Sequence, residues 1–200
     1  MTATLTQSDT ESTGISRADA LTSFSVADFP MPTGKEEEWR FTPIRRIRPL
    51  LSGDSYDASV SVEVTGPEEA RAEKVGRDDK RLGTIMAPSD RPGALAWENF
   101  TEATVVTLPE NTELEEPVYV RVKAPAEHAA THIFIQAEPH AKGTVIILHD
   151  GPALLTETVE ARADAGSNLN VVTVHEWDPD ALHASSHRVS VGRDATLRHM

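Results

Sequence analysis

From Val105 to Met200 the chain repeats one plan: a short run rich in β-branched residues, a polar corner, then another such run. The stretches read VVTLPENTELEEPVYVRV, HIFIQAEPHAKGTVIIL, TVEARADAGSNLNVVTV and HRVSVGRDATLRHM. Their corners, PENTEL, PHAKGTV, ADAGSNL and GRDATL, recur roughly 24–30 residues apart. Helical periodicity is missing from this half. A strand–corner–strand unit cannot bury its apolar side alone, so such units either stack into a solenoid or pair as a sandwich. The even spacing favours a β-solenoid and leaves a β-sandwich as the alternative.

The first hundred residues read differently. Residues 1–15 are rich in Thr, Ser, Asp and Glu and are expected to be a disordered tail. Ser16 is placed to cap a short helix, SRADALTSFSVADF, with Ile15 as its hydrophobic staple. PMPTG breaks the chain. In GKEEEWRFTPIRRIRPLL, Thr42–Pro43 predicts a helix start, and Ile44, Ile47, Leu50 and Leu51 share one helical face. Trp39, Phe41, Ile44 and Ile47 are expected to pack this region, with the glutamates and arginines on its wet side. ASVSVEVTG alternates like a half-buried strand, with Val60, Val62 and Val64 on one face. PEEARAEKVGRDDKRLG reads as helix or loop, and ALAWENFTEA as a short helix.

Composition narrows the function. The 200 residues carry 32 acidic against 19 basic side chains, a formal net charge of −13, which repels nucleic-acid backbones. Cysteine is absent, so disulfides and thiolate ligands are excluded from this chain. No signal peptide and no apolar run of membrane-spanning length is visible, and a cytoplasmic protein that binds neither membrane nor nucleic acid is expected. P-loop, dinucleotide-binding and nucleophile-elbow motifs are all missing.

Histidines are the remaining candidates. His128 and His132, and again His183 and His187, have i, i+4 spacing, which converges on a metal only in a helix. The first pair runs into a strand and the second sits between DPDAL and the strand RVSV, so neither pair is expected to converge. His149–Asp150 and His175–Glu176 end strands that approach each other if coils stack. Corner histidines bonded to backbone or water are the expected reading. Glu36, Glu37 and Glu38 are consecutive and point apart, so they do not form an acid–base pair. No residue is assigned a catalytic, cofactor-binding or metal role, and no cofactor is expected in this chain.

PTGKEEEWRFTPIRRI, with Pro32, Glu37, Trp39, Arg40, Phe41 and Thr42, resembles the N-terminal signature of SufD proteins. These are scaffold subunits of the SUF iron–sulfur cluster assembly system. ALAWENFTEATVVTLPENTELEEPVYVRV is similar to the family's approach to its β-domain, through Leu114, Pro117 and Val118. AEPHAKGTVIILHDG and VGRDATLRHM resemble its successive coils. The resemblance covers residues 16–200.

It implies a small N-terminal helical or α+β domain over residues 16–100. The first part of a right-handed parallel β-helix, truncated at Met200, follows over residues 101–200. It also implies a non-catalytic subunit that pairs with a SufB-like protein and a SufC-like ATPase, the cluster being assembled from groups late in the longer chains. None of those groups has a matching position here. The fragment is expected to form a homodimer through an uncovered end near Val189, Val191 and Leu197. Two readings compete with the scaffold. One is a metal-binding β-domain using His149, His175 and neighbouring carboxylates. The other is a carbohydrate-type solenoid, for which Tyr119, Phe134 and Trp177 are too few to make a stacking row.

Overall fold

A computed structural model describes residues 21–53 and 55–200. The tail and the first turns of the expected helix at Ser16 lie outside the described residues. Within the described part of that segment, only a 3-10 turn forms, at Val26–Asp28.

Two helices precede or punctuate a strand-rich body. Helix α1 spans Ile44–Ser52 and α2 spans Arg91–Asn99. The strands are β1 Ser61–Thr65, β2 Arg71–Val75, β3 Ala103–Leu108, β4 Val118–Lys123, β5 His128–Ala137, β6 Lys142–Gly151, β7 Leu154–Ala163, β8 Asn168–Trp177, β9 Leu182–Val191 and β10 Thr196–His199. They form two five-stranded sheets. The first runs β1-β4-β6-β8-β10 and the second β2-β3-β5-β7-β9. From β3 onward every pairing is parallel and skips one strand, so the chain alternates between the sheets. That is a β-solenoid of about four turns. A sandwich of hairpins, the alternative left open by the sequence, needs antiparallel neighbours.

Alternation along each strand sets what lies inside. Val118, Val120 and Val122 of β4, Val145 and Ile147 of β6, Leu155, Val159 and Ala161 of β7, and Leu169 and Val171 of β8 fill the space between the sheets. Removal of this area from water is the main force holding the coils together, at roughly 25 cal/mol per Å².

The corners repeat with the coils. Asn111, His140, Gly166 and Asp194 all have left-handed backbone, and they stand 29, 26 and 28 positions apart. Each corner is hydrogen-bonded to the next: Asn111 N donates to Pro139 O at 3.0 Å, His140 N to Ala165 O at 3.0 Å, and Gly166 N to Arg193 O at 2.9 Å. The polar corners of the sequence are thus one stacked feature.

β1 and β2 extend the two sheets as antiparallel partners of β4 and β3. Val62 and Val64 of β1 pack against the solenoid core, as does Val60 just before it. The charged stretch at Pro67–Gly83, expected as helix or loop, contains β2, which is mostly exposed. Pairing with β3 overrides its weak apolar pattern.

α2 lies on the outer face of the second sheet. Asp90 caps it by accepting from Gly93 N at 2.7 Å, and Pro92 sits in its first turn. Its buried face is Gly93, Ala94, Leu95 and Ala96, small enough to let the helix approach closely. Phe100, Leu82, Val105 and Phe134 form a second apolar cluster here, flanked by Trp97. Arg91 ties the N-terminal segments to α2, donating to Leu51 O at 2.7 Å and Phe29 O at 2.6 Å.

One expected core residue is misplaced by the sequence. Phe41 is 89% exposed. It falls in the turn between Glu37–Trp39 and α1, and α1 buries Leu50 and Leu51 instead. Trp39, Ile44 and Ile47 are half-buried.

Candidate functional site

Glu36 and Glu37, neighbours in the sequence, have separate partners. Glu36 folds back on its own turn, accepting from Thr33 Oγ1 at 2.8 Å and from Gly34 N at 2.9 Å. Hydrogen bonds from its own backbone N–H and from Thr33 and Gly34 hold its carboxyl down to about 2. Glu37 faces Arg40 at 3.9 Å in solvent.

The histidine pairs in i, i+4 spacing lie on strands β5 and β9, not at corners. Four strand residues span roughly 13 Å, which separates the members of each pair. His128 stacks on Tyr56 at 5.2 Å between ring centroids. His132 is fully buried on the outer face of the second sheet, beneath Trp97 and Phe100. Its Nε2 lies 3.0 Å from Glu160 Oε1. Glu160 also accepts from Gly83 N at 2.6 Å and Ile85 N at 3.3 Å. Burial alone pushes this carboxyl up, but His132 and the two backbone donors outweigh it and hold it below its ordinary value. This cluster fastens the segment before α2 to the solenoid.

His149 and His175 do approach each other. They are register partners on β6 and β8, with stacked rings 4.8 Å apart. Their sequence neighbours Asp150 and Glu176 take alternate positions, so strand alternation turns them to the opposite face. The carboxylate that joins His149 comes instead from the other sheet. Glu157, fully buried on β7, accepts from His149 Nε2 at 3.0 and 3.1 Å, His183 Nε2 at 3.1 Å and Ser185 Oγ at 2.9 Å. Burial opposes its ionisation, yet the hydrogen bonds from His149 and His183 hold the carboxyl well below the usual range. An ionised carboxylate only accepts, so both histidines donate from Nε2. Burial, then the neighbouring His149 and His183, lower His175.

Trp177 closes the group, 5.2 Å from the His149 ring and 5.1 Å from His183. Four residues further along β9, burial pushes His187 down to about 4, and its ring lies tilted against His199 with centroids 4.8 Å apart. His149, Glu157 and His183 bring their ligand-type atoms within 4.8 Å of one another. The sequence reading had His149, paired His183 only with His187 and expected no convergence there, and missed Glu157 and Ser185. The signal for them was parity: once the chain is read as stacked coils, each sits at an inward position of its strand.

Aromatics do not line up for sugar stacking. Phe134 is fully buried under α2, while Tyr119 and Trp177 lie on different strands of the first sheet.

Residues 120–200 match the family model for the SUF system FeS cluster assembly, SufBD core domain. Over those residues the chain is similar to the SufBD core domain. The similarity extends beyond the SufBD core. An iron–sulfur cluster assembly SufBD family protein of Mycobacterium leprae (strain TN) is 35% identical over 191 residues, covering 94% of this chain and 49% of that protein. Proteins of the same description from Mycobacterium tuberculosis (strain CDC 1551 / Oshkosh) and Mycobacterium bovis are each 35% identical over 187 residues, covering 92% of this chain and 47% of theirs. The chain spans about half the length of the curated relatives it matches. None of the described helices is long and apolar enough to cross a membrane.

Proposed function

We propose that this chain is the N-terminal part of a SufD-type scaffold subunit of an iron–sulfur cluster assembly complex. It works without catalysis of its own, in the cytoplasm, beside a SufB-like subunit and a SufC-like ATPase. The observation that carries the reading is the joining of two features in one folded unit. The Pro32–Thr42 segment with Trp39, which resembles SufD, leads through α1, β1 and β2 into a SufBD core. Similarity to SufBD relatives across 92–94% of the chain supports treating both parts together.

A rigid parallel solenoid suits a scaffold. Its faces hold fixed positions because every coil is hydrogen-bonded to its neighbours. The iron–sulfur cluster is cargo in this reading, and ATP chemistry belongs to the partner. The test is affinity purification of the tagged full-length protein from its native host. Co-purification of a SufB-like protein and a SufC-like ATPase in stoichiometric amounts is expected. A full-length protein that elutes alone under gentle conditions contradicts the reading.

A further inference from the structure

The interior of the solenoid changes its chemistry along the axis. On the first sheet one inward column runs Val122, His149, His175. On the second sheet, adjoining columns run Ala129, Leu155, His183 and Thr131, Glu157, Ser185. Aliphatic layers near β4 and β5 therefore give way to imidazoles, a carboxylate and a hydroxyl. A core that needed only packing has no use for these groups, since burying polar atoms costs free energy unless each is paired.

One of them is not paired. His149 is 1% exposed, and its Nε2 is committed to Glu157. Its Nδ1 is buried with no hydrogen-bond partner. With Nε2 carrying the proton, Nδ1 presents a bare lone pair inside the protein. A cation that replaces the Nε2 proton leaves the ring's remaining proton on Nδ1, so a site here is built on the Nε2 atoms already turned on the Glu157 carboxylate.

The donor set specifies the ligand. Two imidazoles and a carboxylate, with no thiolate anywhere in the chain, suit first-row divalent cations that accept nitrogen and oxygen. Ligand distances of about 2.0–2.2 Å put neighbouring donor atoms of a tetrahedral site roughly 3.3–3.5 Å apart. The His149–Glu157 and His183–Glu157 contacts, at 3.0–3.1 Å, are within a few tenths of an ångström of that spacing. Ser185 Oγ already touches the same carboxylate and holds its orientation.

We infer that His149, Glu157 and His183 form a divalent-cation site enclosed by the solenoid, for an ion such as zinc(II), cobalt(II) or iron(II). The inference stands on these side chains and not on the scaffold reading. The ligands come from β6, β7 and β9 and meet only when two successive coils stack. Binding is therefore coupled to folding, and the ion locks one coil to the next.

The probe is cobalt(II), whose visible bands report nitrogen and oxygen ligation. The chain is refolded from chelator, titrated, and followed by absorption, calorimetry and thermal unfolding. One equivalent is expected to bind and to raise the unfolding midpoint. His183→Ala and Glu157→Gln are expected to weaken binding by more than about 100-fold, the upper end of what loss of a supporting residue costs. His140→Asn, at an exposed corner away from the cluster, is expected to leave affinity unchanged.

Circular dichroism shows whether each variant folds. X-ray absorption on the zinc-loaded, unmutated chain provides a reading that needs no variant, with two imidazoles and oxygen in the first shell expected. Lack of a one-equivalent site, affinity indifferent to His183→Ala in a folded variant, or fewer than two imidazoles in the absorption fit overturns the inference.

Discussion

Phe41 and Trp39 sit two residues apart in the segment that resembles SufD, and the fold treats them differently. Phe41 is 89% exposed, with the Arg40 guanidinium 5.4 Å from the centre of its ring. Phe41→Ser is therefore expected to shift unfolding free energy by no more than about 0.5 kcal/mol, measured in urea. Trp39 is half-buried beside Phe29, Pro30 and Pro32. Its truncation to alanine is expected to cost less than the roughly 3–5 kcal/mol of a fully enclosed aromatic.

Glu160 carries a pH signature. His132, Arg188 and the backbone of Gly83 and Ile85 face it. Its folded pKa lies below the unfolded value. The stability it contributes is thus fully present above about pH 4.5 and is lost as pH falls through the folded value. Glu160→Gln is expected to cost about 1–3 kcal/mol at neutral pH. It should also flatten the acid limb of a stability–pH curve below about pH 4.5. An unchanged acid limb means that Glu160 is already neutral in the folded chain.

At the scale of elements, the turn between β6 and β7 decides whether the interior cluster exists. Gly151 has φ of 106°, and a Cβ there would sit 2.6 Å from Ala124 O. Only glycine passes this point, and it turns the chain so that His149 and Glu157 meet inside. Gly151→Ala is expected to destabilise the chain by more than about 1 kcal/mol in equilibrium unfolding, because both the dihedral and the close backbone contact are violated.

The strands themselves were legible in the sequence. Valine and isoleucine at alternate positions mark β4 and β6, and the corners at Asn111, His140, Gly166 and Asp194 fall where polar residues break the runs. β2 was not legible. Its RAEKV carries no apolar alternation, and only pairing with β3 makes it a strand. The His149–Glu157–His183 cluster was half legible. The residues look unrelated along the chain, being 8 and 26 positions apart, and become neighbours only when the coil length is known. A motif search keyed to helical spacing compares His183 with His187, which the strand holds apart.

At the scale of the whole molecule, every claim about the interior depends on one geometric fact, the parallel register of successive coils. The absence of cysteine makes that register directly measurable. Thr144 of β6 and Asn170 of β8 are register partners on an outward column, and Asn170 Nδ2 donates to Thr144 Oγ1 at 3.2 Å. Adjacent strands lie about 4.8 Å apart, inside the Cα range of a relaxed disulfide, about 4.4–6.8 Å. A double variant, Thr144→Cys with Asn170→Cys, is expected to oxidise rapidly and completely in the folded chain while keeping its circular dichroism. The offset pair, Thr144→Cys with Val172→Cys, places the same chemistry two residues out of register and is expected to oxidise far more slowly. If the offset pair closes faster, the coils stack in another register, and the solenoid with its enclosed His149–Glu157–His183 cluster is not the structure of this chain.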